Sequence, residues 1–477
     1  EELRSVAVAS DADDGERSFG SASSASDEGK EEAEQRVEGR EDQDEDEEED
    51  SRLLRRVKSN KGEYARRQRS TKRRLRAIFF LTGFAFSIYM PFSVLFFQNS
   101  VGLSAGQIGF VASLQIVGGY AVGPAVSLLI DRFRIHQAVW MASLVLCIAP
   151  VECITLANSF AHAAAIAVSI SCLTAPMSSL QDSCTLCFLG AESHQYGKIR
   201  LWGAIGWGLG SLAGGSIVEF LGIQYAFHLF GLTMLSVAAT VFSLDFASIE
   251  MASEASRRNA PGGAASGDGS GDPFWRSVRR LIPGWSYLFF LFVAVVAGFG
   301  ATSLQSLLLM FLSDLGAPDI LEGLMLSVAT VSELPVFFYS GSVIKKYGAA
   351  SLLCASMAAF TVRAILVSFL RNPWMVLPLQ LLHGFTFAGC WTAGVALAKE
   401  NSPPGLETSG QSIFTMAYNG VGGLAGSIVG GQLYDVVGPR HMYRIKGLVF
   451  AVTLLLYLLT LADWSRLRKK TAYESVS

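Results

Sequence analysis

Three ionisable side chains lie inside three successive apolar stretches of the sequence: Glu333, Arg363 and His383. Each is flanked by runs of Leu, Val, Phe, Ala and Gly, so each is expected within a lipid bilayer. A charge at that depth costs from about 2.5 to more than 10 kcal/mol unless it finds a partner or a watery cavity. Glu333 and His383 can exchange protons, and Arg363 can pair with Glu333. These groups predict a polar site inside a helix bundle, used by a substrate or a proton.

A fixed ion pair is the alternative use of these groups. An Arg363–Glu333 pair buried between helices could serve only to set their packing. Buried ion pairs are poor stabilisers, because desolvation of both charges offsets much of their attraction. This argument favours a functional site over a purely structural pair.

A second polar set lies in the first half of the chain: Asp182, Lys198, Arg200 and Trp207. Arg200 and Trp207 are seven residues apart, which is two helical turns, so they share one helix face. A cation and an aromatic ring beside an acid can bind a polyol or a planar ring. The alternative is that Lys198 and Arg200 reach lipid phosphates while Trp207 lies at the membrane interface.

Twelve apolar segments of about 20 residues predict an all-α integral membrane protein with twelve transmembrane helices. A Gly-, Ser- and Pro-containing linker at 247–282 separates the first six segments from the last six. The predicted spans are 77–99, 105–130, 137–157, 161–190, 199–220, 224–246, 284–313, 320–344, 350–370, 374–398, 408–434 and 443–464.

The two sets of six segments repeat one another. Gly102 and Gly109 recur 214 residues later as Gly316 and Gly323. At the same offset, the segment 131–133 (Asp-Arg-Phe) aligns with 345–347 (Lys-Lys-Tyr). The glycine-rich segment 208–214 resembles 420–426 at an offset of 212. This repeat predicts two pseudo-symmetric six-helix halves with a site between them, which is typical of transporters.

The charge is distributed in blocks outside these halves. Residues 1–50 carry 21 acidic and 5 basic side chains, which predicts a disordered acidic tail. Residues 51–76 carry 12 basic side chains and one acidic, which predicts a juxtamembrane segment attracted to anionic lipid. The predicted organisation is therefore these two segments, an N-terminal half at 77–246, the linker at 247–282, a C-terminal half at 283–465, and a tail at 466–477.

The distribution of Lys and Arg predicts that both termini and the linker are cytoplasmic. Basic residues concentrate in the even-numbered connections between spans. The opposite side carries only a few, which are Arg371, Arg440, Arg444 and Lys446. Asp131 and Arg132 end the second span at the cytoplasmic surface, where an ion pair can orient helices during gating. The membrane of residence does not follow from the sequence.

Several function classes are disfavoured by the motifs. No nucleophile–base pair, metal-ligand cluster or phosphate-binding glycine loop is visible in the sequence. We therefore expect neither an enzyme nor a bound cofactor or metal. Nucleic-acid binding by residues 51–76 is disfavoured, because this segment adjoins the first span and lipid is the nearer partner. We expect a monomer.

The motifs resemble those of the major facilitator superfamily, over about residues 77–465. The twelve spans, the Asp131-Arg132 loop and the segment 431–438 (GQLYDVVG) carry this resemblance. More narrowly, the segment 196–207 (YGKIRLWGAIGW) is similar to the start of the fifth helix of bacterial lactose permease. The segment 382–387 (LHGFTF), preceded by Glu333 and Arg363, resembles the lactose-permease and phenylpropionate-permease branch.

The resemblance implies roles for both polar sets. Asp182 and Arg200 would bind substrate hydroxyls, Trp207 would stack on a ring, and Lys198 would line the same cavity. The C-terminal set, Glu333, Arg363 and His383, would couple proton movement to substrate binding. The sugar permease has a carboxylate one turn after the histidine, where this chain has Thr386. Proton coupling would then depend on Glu333 or His383, or be absent.

The expected function is secondary transport of a small polar organic solute, such as a sugar, a nucleoside or an aromatic acid, as a symporter with a proton. A facilitative uniporter is the nearest alternative. A membrane receptor or scaffold that kept the fold but lost transport is a further alternative, to which the acidic tail at 1–50 would contribute a docking segment.

Overall fold

The computed structural model describes residues 66–133, 135–244, 246, 285–402 and 407–474. The predicted acidic tail, most of the basic segment and the linker at 247–282 lie outside these ranges. Contacts divide the chain into Glu1–Ser70 and Thr71–Ser477, and the packing described below is that of the second unit.

Ten helices in the described ranges are long and apolar enough to cross a membrane, and an eleventh span is formed by two bent pieces. The helices are α1 (Arg66–Asn99), α2 (Ala105–Ser127, helical to Phe133), α3 (His136–Leu156), α4 (Phe160–Leu189), α5 (Tyr196–Phe220), α6 (Ile223–Phe242), α7 (Tyr287–Asp314), α8 (Asp319–Tyr347), α9 (Ala349–Ser368), α10 (Pro373–Gln380 with Phe385–Glu400) and α11 (Ser409–Leu461).

The last of these helices is interrupted. Gly438 has φ 78° and ψ 162°, a conformation that favours glycine, and Pro439 follows it. Proline suits the first turn of a helix, because its missing N–H would have no intrahelical partner there. We therefore distinguish α11a, 409–437, from α11b, 439–461. The helix continues beyond the predicted span through Glu474.

Glycines let helix backbones pack closely in a repeating pattern. A side chain at Gly83 or Gly206 would collide with the backbone of the partner helix in the α1–α5 pair, and Gly298 and Gly422 play the same role between α7 and α11a. Gly83 corresponds to Gly298 at an offset of 215, and Gly206 corresponds to Gly422 at an offset of 216. The small side chains at these positions permit an approach that larger ones would block.

This packing corrects one part of the predicted repeat. The sequence aligns the two glycine-rich segments at an offset of 212, but their contacts correspond at 216. The difference is four residues, about one helical turn. Glycines that recur every four residues align almost equally well after a slip of one turn, so the sequence alone selected the wrong register. The offset of 214 near Gly102 agrees with the structure, where Gly102 and Gly316 have φ 75° and 74°.

Two further helix pairs join the N-terminal helices α1–α6 to the C-terminal helices α7–α11. They are α5 with α8 and α2 with α11a. In the first, a methyl group on Gly215 would lie 2.7 Å from the backbone oxygen of Asp319. In the second, a side chain on Gly431 would collide with the backbone of Ala105. We call these pairs the α5–α8 seam and the α2–α11a seam.

Hydrogen bonds beside the seams lie at the same end of the bundle. Gln98 at the end of α1 donates to Asp314 at the end of α7 at 2.8 Å, and Asn99 donates to Ser313 at 3.1 Å. Because successive helices alternate in direction, the ends of α1, α7 and α11a and the starts of α2 and α8 face the same side. We call this side the closed end.

One basic residue has a different place from the one expected. The sequence analysis assigned Lys446 to a connection between spans, but it lies in α11b and its side chain is 0% exposed. The cause is that the last helix begins at Pro439 rather than near residue 443. Lys446 Nζ lies over the rings of Phe299 and Tyr443, at 5.2 and 5.6 Å from their centroids.

Candidate functional site

A cavity of about 330 Å³ lies between α5 of the N-terminal helices and the C-terminal helices α7–α11a. Trp207 and Ala204 line it from α5. Its polar lining comes mainly from the opposite side and includes Gln305, Glu333, Arg363, Gln380, His383 and Asn419. All three ionisable residues from which the sequence analysis began therefore face one cavity, together with Trp207.

Irregular helix turns shape this cavity. Three π-helical segments occur in the described helices: Ser303–Leu307 in α7, Phe385–Gly389 in α10 and Met416–Gly422 in α11a. Each contributes a lining residue, which are Gln305, Phe387 and Asn419 respectively. Such turns break the regular ladder of backbone hydrogen bonds, and they are frequent at functional sites.

The bend in α10 exposes His383 to the cavity. The pieces Pro373–Gln380 and Phe385–Glu400 meet at 44°, and His383 lies in the break between them. Ser332 on α8 supports the break, because its hydroxyl donates to the backbone oxygen of Gln380 at 3.0 Å and accepts from the Gly384 N–H at 3.0 Å. His383 stacks on Phe387 with a centroid distance of 5.9 Å and an angle of 10°.

Arg363 is held by neutral side chains. It is 2% exposed. Its Nη1 lies 3.0 Å from His383 Nδ1 and donates to Thr386 Oγ1 at 3.1 Å, while Nη2 donates to Gln380 Oε1 at 2.7 Å. The sequence analysis expected Arg363 to pair with Glu333, but Glu333 Oε1 instead lies 3.1 Å from His383 Nε2.

These contacts determine which nitrogen of His383 carries its proton. A guanidinium only donates hydrogen bonds, so His383 Nδ1 must accept from Arg363. The remaining ring nitrogen, Nε2, then carries the hydrogen and donates it to Glu333. The arrangement is a chain from Arg363 through a neutral imidazole to a carboxylate. Glu333 and His383 are 16% and 21% exposed, so the far end of the chain is reachable from the cavity.

Sequence reasoning missed the residues that hold Arg363 and much of the polar lining. Gln380 and Thr386 are each 1% exposed and occur in apolar surroundings, where an amide or hydroxyl carries a weaker signal than a charge. Thr386 was noted only as the position of a missing carboxylate. Gln305 and Asn419 lie in π-helical turns, which a regular helical periodicity does not predict.

The N-terminal polar set is only partly at the cavity. Trp207 lines it, whereas Asp182, Lys198 and Arg200 do not. Arg200 Nη1 lies 3.7 Å from Asp182 Oδ2, with the two side chains 64% and 36% exposed, and it donates to the Tyr196 hydroxyl at 3.0 Å. Lys198 is exposed. Arg200 lies about 10 Å before Trp207 along α5, away from the closed end.

The expected gating pair is partly described. Arg132 is exposed near the end of α2, with its guanidinium carbon 5.8 Å from the ring centroid of Phe133. The side chain of Asp131 lies outside the described residues.

Known proteins similar to this chain are membrane transporters. A maltose permease from Geobacillus stearothermophilus is 24% identical over 384 residues, covering 80% of this chain and 92% of the permease. A probable 3-phenylpropionic acid transporter from Escherichia coli (strain K12) is 22% identical over 327 residues, covering 66% of this chain and 79% of that protein. The crystal structure of the nucleoside transporter NupG covers 82% of this chain and 98% of its own, with a TM-score of 0.69 and 14% identity.

The family assignment rests on most of the chain. The family model described as the MFS_1 like family matches residues 72–445, a range that contains the seams and every cavity-lining residue. The resemblance to the major facilitator superfamily inferred from the motifs is confirmed, and so is the expectation that the protein is not an enzyme. The chain is a multi-pass membrane protein of the MFS_1 like family of major facilitator superfamily transporters.

Proposed function

We propose that the protein moves a small polar organic solute by alternating access, with α1–α6 and α7–α11b forming two pseudo-symmetric halves of six helices each. The glycine contacts that recur at offsets of 215 and 216 support this division. The break at Gly438 supports counting α11a and α11b as two spans, which brings the total to twelve. The seams lie at one end only of this arrangement, so the proposed state has one end closed while the cavity is reached from the other.

The observation that carries the proposal is the composition of the cavity. An aromatic plate, Trp207, faces a polar wall made of Glu333, His383, Gln305 and Asn419 across the boundary between the halves. Amide and carboxylate groups can bind hydroxyls or ring nitrogens, while Trp207 stacks on a ring. A sugar, a nucleoside or an aromatic acid has this combination, and relatives include transporters named for maltose, phenylpropionic acid and nucleosides.

Glu333 is the proposed proton site. A second proton on His383 would have to occupy Nδ1, where it would face the donating guanidinium of Arg363. Glu333 can take a proton without disturbing that contact. The hydroxyl of Thr386, where the sugar permease has a carboxylate, accepts from Arg363 rather than binding a proton of its own.

The remaining predicted residues have proposed roles along the path. Asp182, Lys198 and Arg200 would meet the solute before it reaches Trp207, because they are accessible on the side away from the closed end. Asp131 and Arg132 would orient α2 during gating. We propose a monomer with both termini in the cytoplasm, and anionic lipid bound by the basic segment at 51–76.

Uptake into proteoliposomes tests this function. The full chain is reconstituted and given sugars, nucleosides and aromatic acids under an imposed pH gradient. One proton coupled across one pH unit supports accumulation of up to about tenfold. We expect wild-type protein to accumulate its solute and Glu333→Gln only to equilibrate it.

A second Glu–His pair provides the matched control. Glu152 Oε2 lies 2.6 Å from His228 Nδ1 between α3 and α6, and neither residue lines the cavity. Glu152→Gln should retain gradient-driven accumulation. If Glu333→Gln also retains it, proton coupling through Glu333 is wrong. Wild-type protein that equilibrates its solute without concentrating it would be a facilitative uniporter, and protein that binds a solute without moving it would be a receptor.

A further inference from the structure

A buried carboxylate without a hydrogen-bond partner lies at the closed end, away from the cavity. Glu322 is in the first turn of α8 and is 1% exposed. Its Oε2 atom is buried, and no hydrogen-bond partner for it occurs among the described residues. Neither the sequence analysis nor the proposed transport mechanism accounts for this group.

Glu322 lies at the α5–α8 seam, where backbones touch. A methyl group on Gly323, the next residue, would lie 3.0 Å from the Cα of Gly215 on α5. Four residues further along α8, the Ser327 hydroxyl donates to the backbone oxygen of Gly208 at 2.7 Å. The seam brings two helices of different halves into direct contact beside the carboxylate.

The nearest charges are of the same sign. Asp319, in the same turn of α8, interacts electrostatically with Glu322, and Glu219 on α5 interacts with Asp319. The N-terminal end of α8 favours negative charge, but this effect is small beside the cost of burying an ion without partners. An ionised Glu322 is therefore unfavourable while the seam is closed.

The other elements against the start of α8 do not supply a free cation. At the end of α7, Asp314 accepts from Gln98 and from the Tyr434 hydroxyl. On α9, the donors of Arg363 described above are directed at α10. Arg371, between α9 and α10, is exposed, and Pro373–Gln380 contains no charged residue.

The α2–α11a seam shows what a satisfied carboxylate looks like at the equivalent place. Asp435 accepts from the N–H groups of Ala105 and Gly106, at 3.0 and 2.8 Å, and from the Ser104 hydroxyl at 2.7 Å. It binds the start of α2 as an anion. Asp435 corresponds to Glu219 at the offset of 216, and there the start of α8 already carries Asp319 and Glu322.

We propose that Glu322 is a proton-binding site that must be loaded before the α5–α8 seam closes. The carboxylate takes one proton from water on the closed-end side as the halves come together, and releases it to the same side when they separate. This inference rests on the alternating access proposed above, and adds to it a second proton site that responds to pH on one face of the membrane. Acidification on that side then favours the closed end.

The test follows which side of the membrane reaches the cavity, and needs no substrate. Ala204, which lines the cavity, is replaced by cysteine, and labelling by a membrane-impermeant maleimide is measured from each side in right-side-out and inside-out vesicles. Labelling of the parent with Ala204 is subtracted, because the chain has seven native cysteines. Glu333→Gln is present throughout, so that the cavity carboxylate does not contribute to the pH response.

We expect the ratio of closed-end to open-end states to rise by up to about tenfold for each unit fall in pH, as one linked proton requires. Glu322→Gln should keep the end closed and remove the pH dependence, whereas Glu322→Asp should retain it. Asp435→Asn should open the end by a constant factor, roughly 2 to 10, at every pH.

Two results would overturn the proposal: a pH response that survives Glu322→Gln, or the absence of a pH response in the parent. Folding of each variant is checked by size-exclusion chromatography. If Glu322→Gln does not fold, Glu322→Asp decides, because a shorter carboxylate at the proton site must shift the midpoint of the response. A cavity labelled equally from both sides at every pH would instead contradict alternating access itself.

Discussion

At the scale of single residues, the site depends on neutral partners as much as on charges. Arg363 is buried, yet its guanidinium meets an imidazole, an amide and a hydroxyl rather than a carboxylate. Hydrogen bonds from a charged donor can stabilise it without a counterion when several acceptors converge. Glu333 is thereby left with only a neutral histidine as its partner among the described residues, and is available for a proton or a solute.

Lys446 is a buried cation of the opposite kind. Its Nζ atom has no hydrogen-bond acceptor among the described residues and lies between two aromatic rings. Burying an ammonium without an acceptor is costly, and the attraction of the rings offsets only part of that cost.

Replacing Lys446 by methionine should therefore stabilise the protein. Methionine keeps the length of the side chain and removes the charge, and we expect a gain of about 1–2 kcal/mol. Lys446→Ala should be destabilising, because it leaves a cavity in the packed core. Thermal unfolding in detergent measures both, and a lower melting temperature for Lys446→Met would show that the ammonium has a stabilising partner.

At the scale of helices, glycines set the distance between the halves. A methyl group on Gly215 would lie 2.7 Å from the backbone oxygen of Asp319, too close for either backbone to accommodate without moving. Gly341, on α8 beyond the cavity, has no atom within 4 Å of such a methyl group. The two positions test whether the seam or the helix requires glycine.

Gly215→Ala should open the closed end, while Gly341→Ala should leave it closed. Overpacking costs typically about 1–3 kcal/mol, which would be taken from the closed state alone. Gly341→Ala should be neutral or stabilise its helix by up to about 1 kcal/mol. Maleimide labelling of the Ala204→Cys reporter from the closed-end side measures the difference. Equal labelling of both variants would mean that the seam does not control access.

At the scale of the whole molecule, the cavity and both seams lie within Thr71–Ser477, which packs separately from Glu1–Ser70. The two seams have the same backbone geometry but opposite electrostatics. One is joined by Asp435 at a helix start, and the other brings three carboxylates together. A single closing movement therefore combines a contact that needs a charge with one that opposes it.

Deletion of residues 1–50 should leave transport unchanged, because none of the cavity or seam residues belongs to that segment. Uptake by the truncated protein in proteoliposomes, compared with the full chain at equal protein, measures this. A loss of uptake by more than half would assign the acidic segment a part in the transport cycle, and would support a scaffold or regulatory role for it.

The sequence by itself determined the membrane class, the family and the three ionisable residues of the cavity. These follow from apolar length and from the cost of charge in lipid, which are local properties. Only the tertiary structure decided that His383 rather than Arg363 partners Glu333, because the bend and π-helical turn of α10 set that contact. It also decided the offset of 216 and the burial of Glu322 and Lys446. Glycines spaced by four align equally well one turn apart, and burial depends on which helices meet.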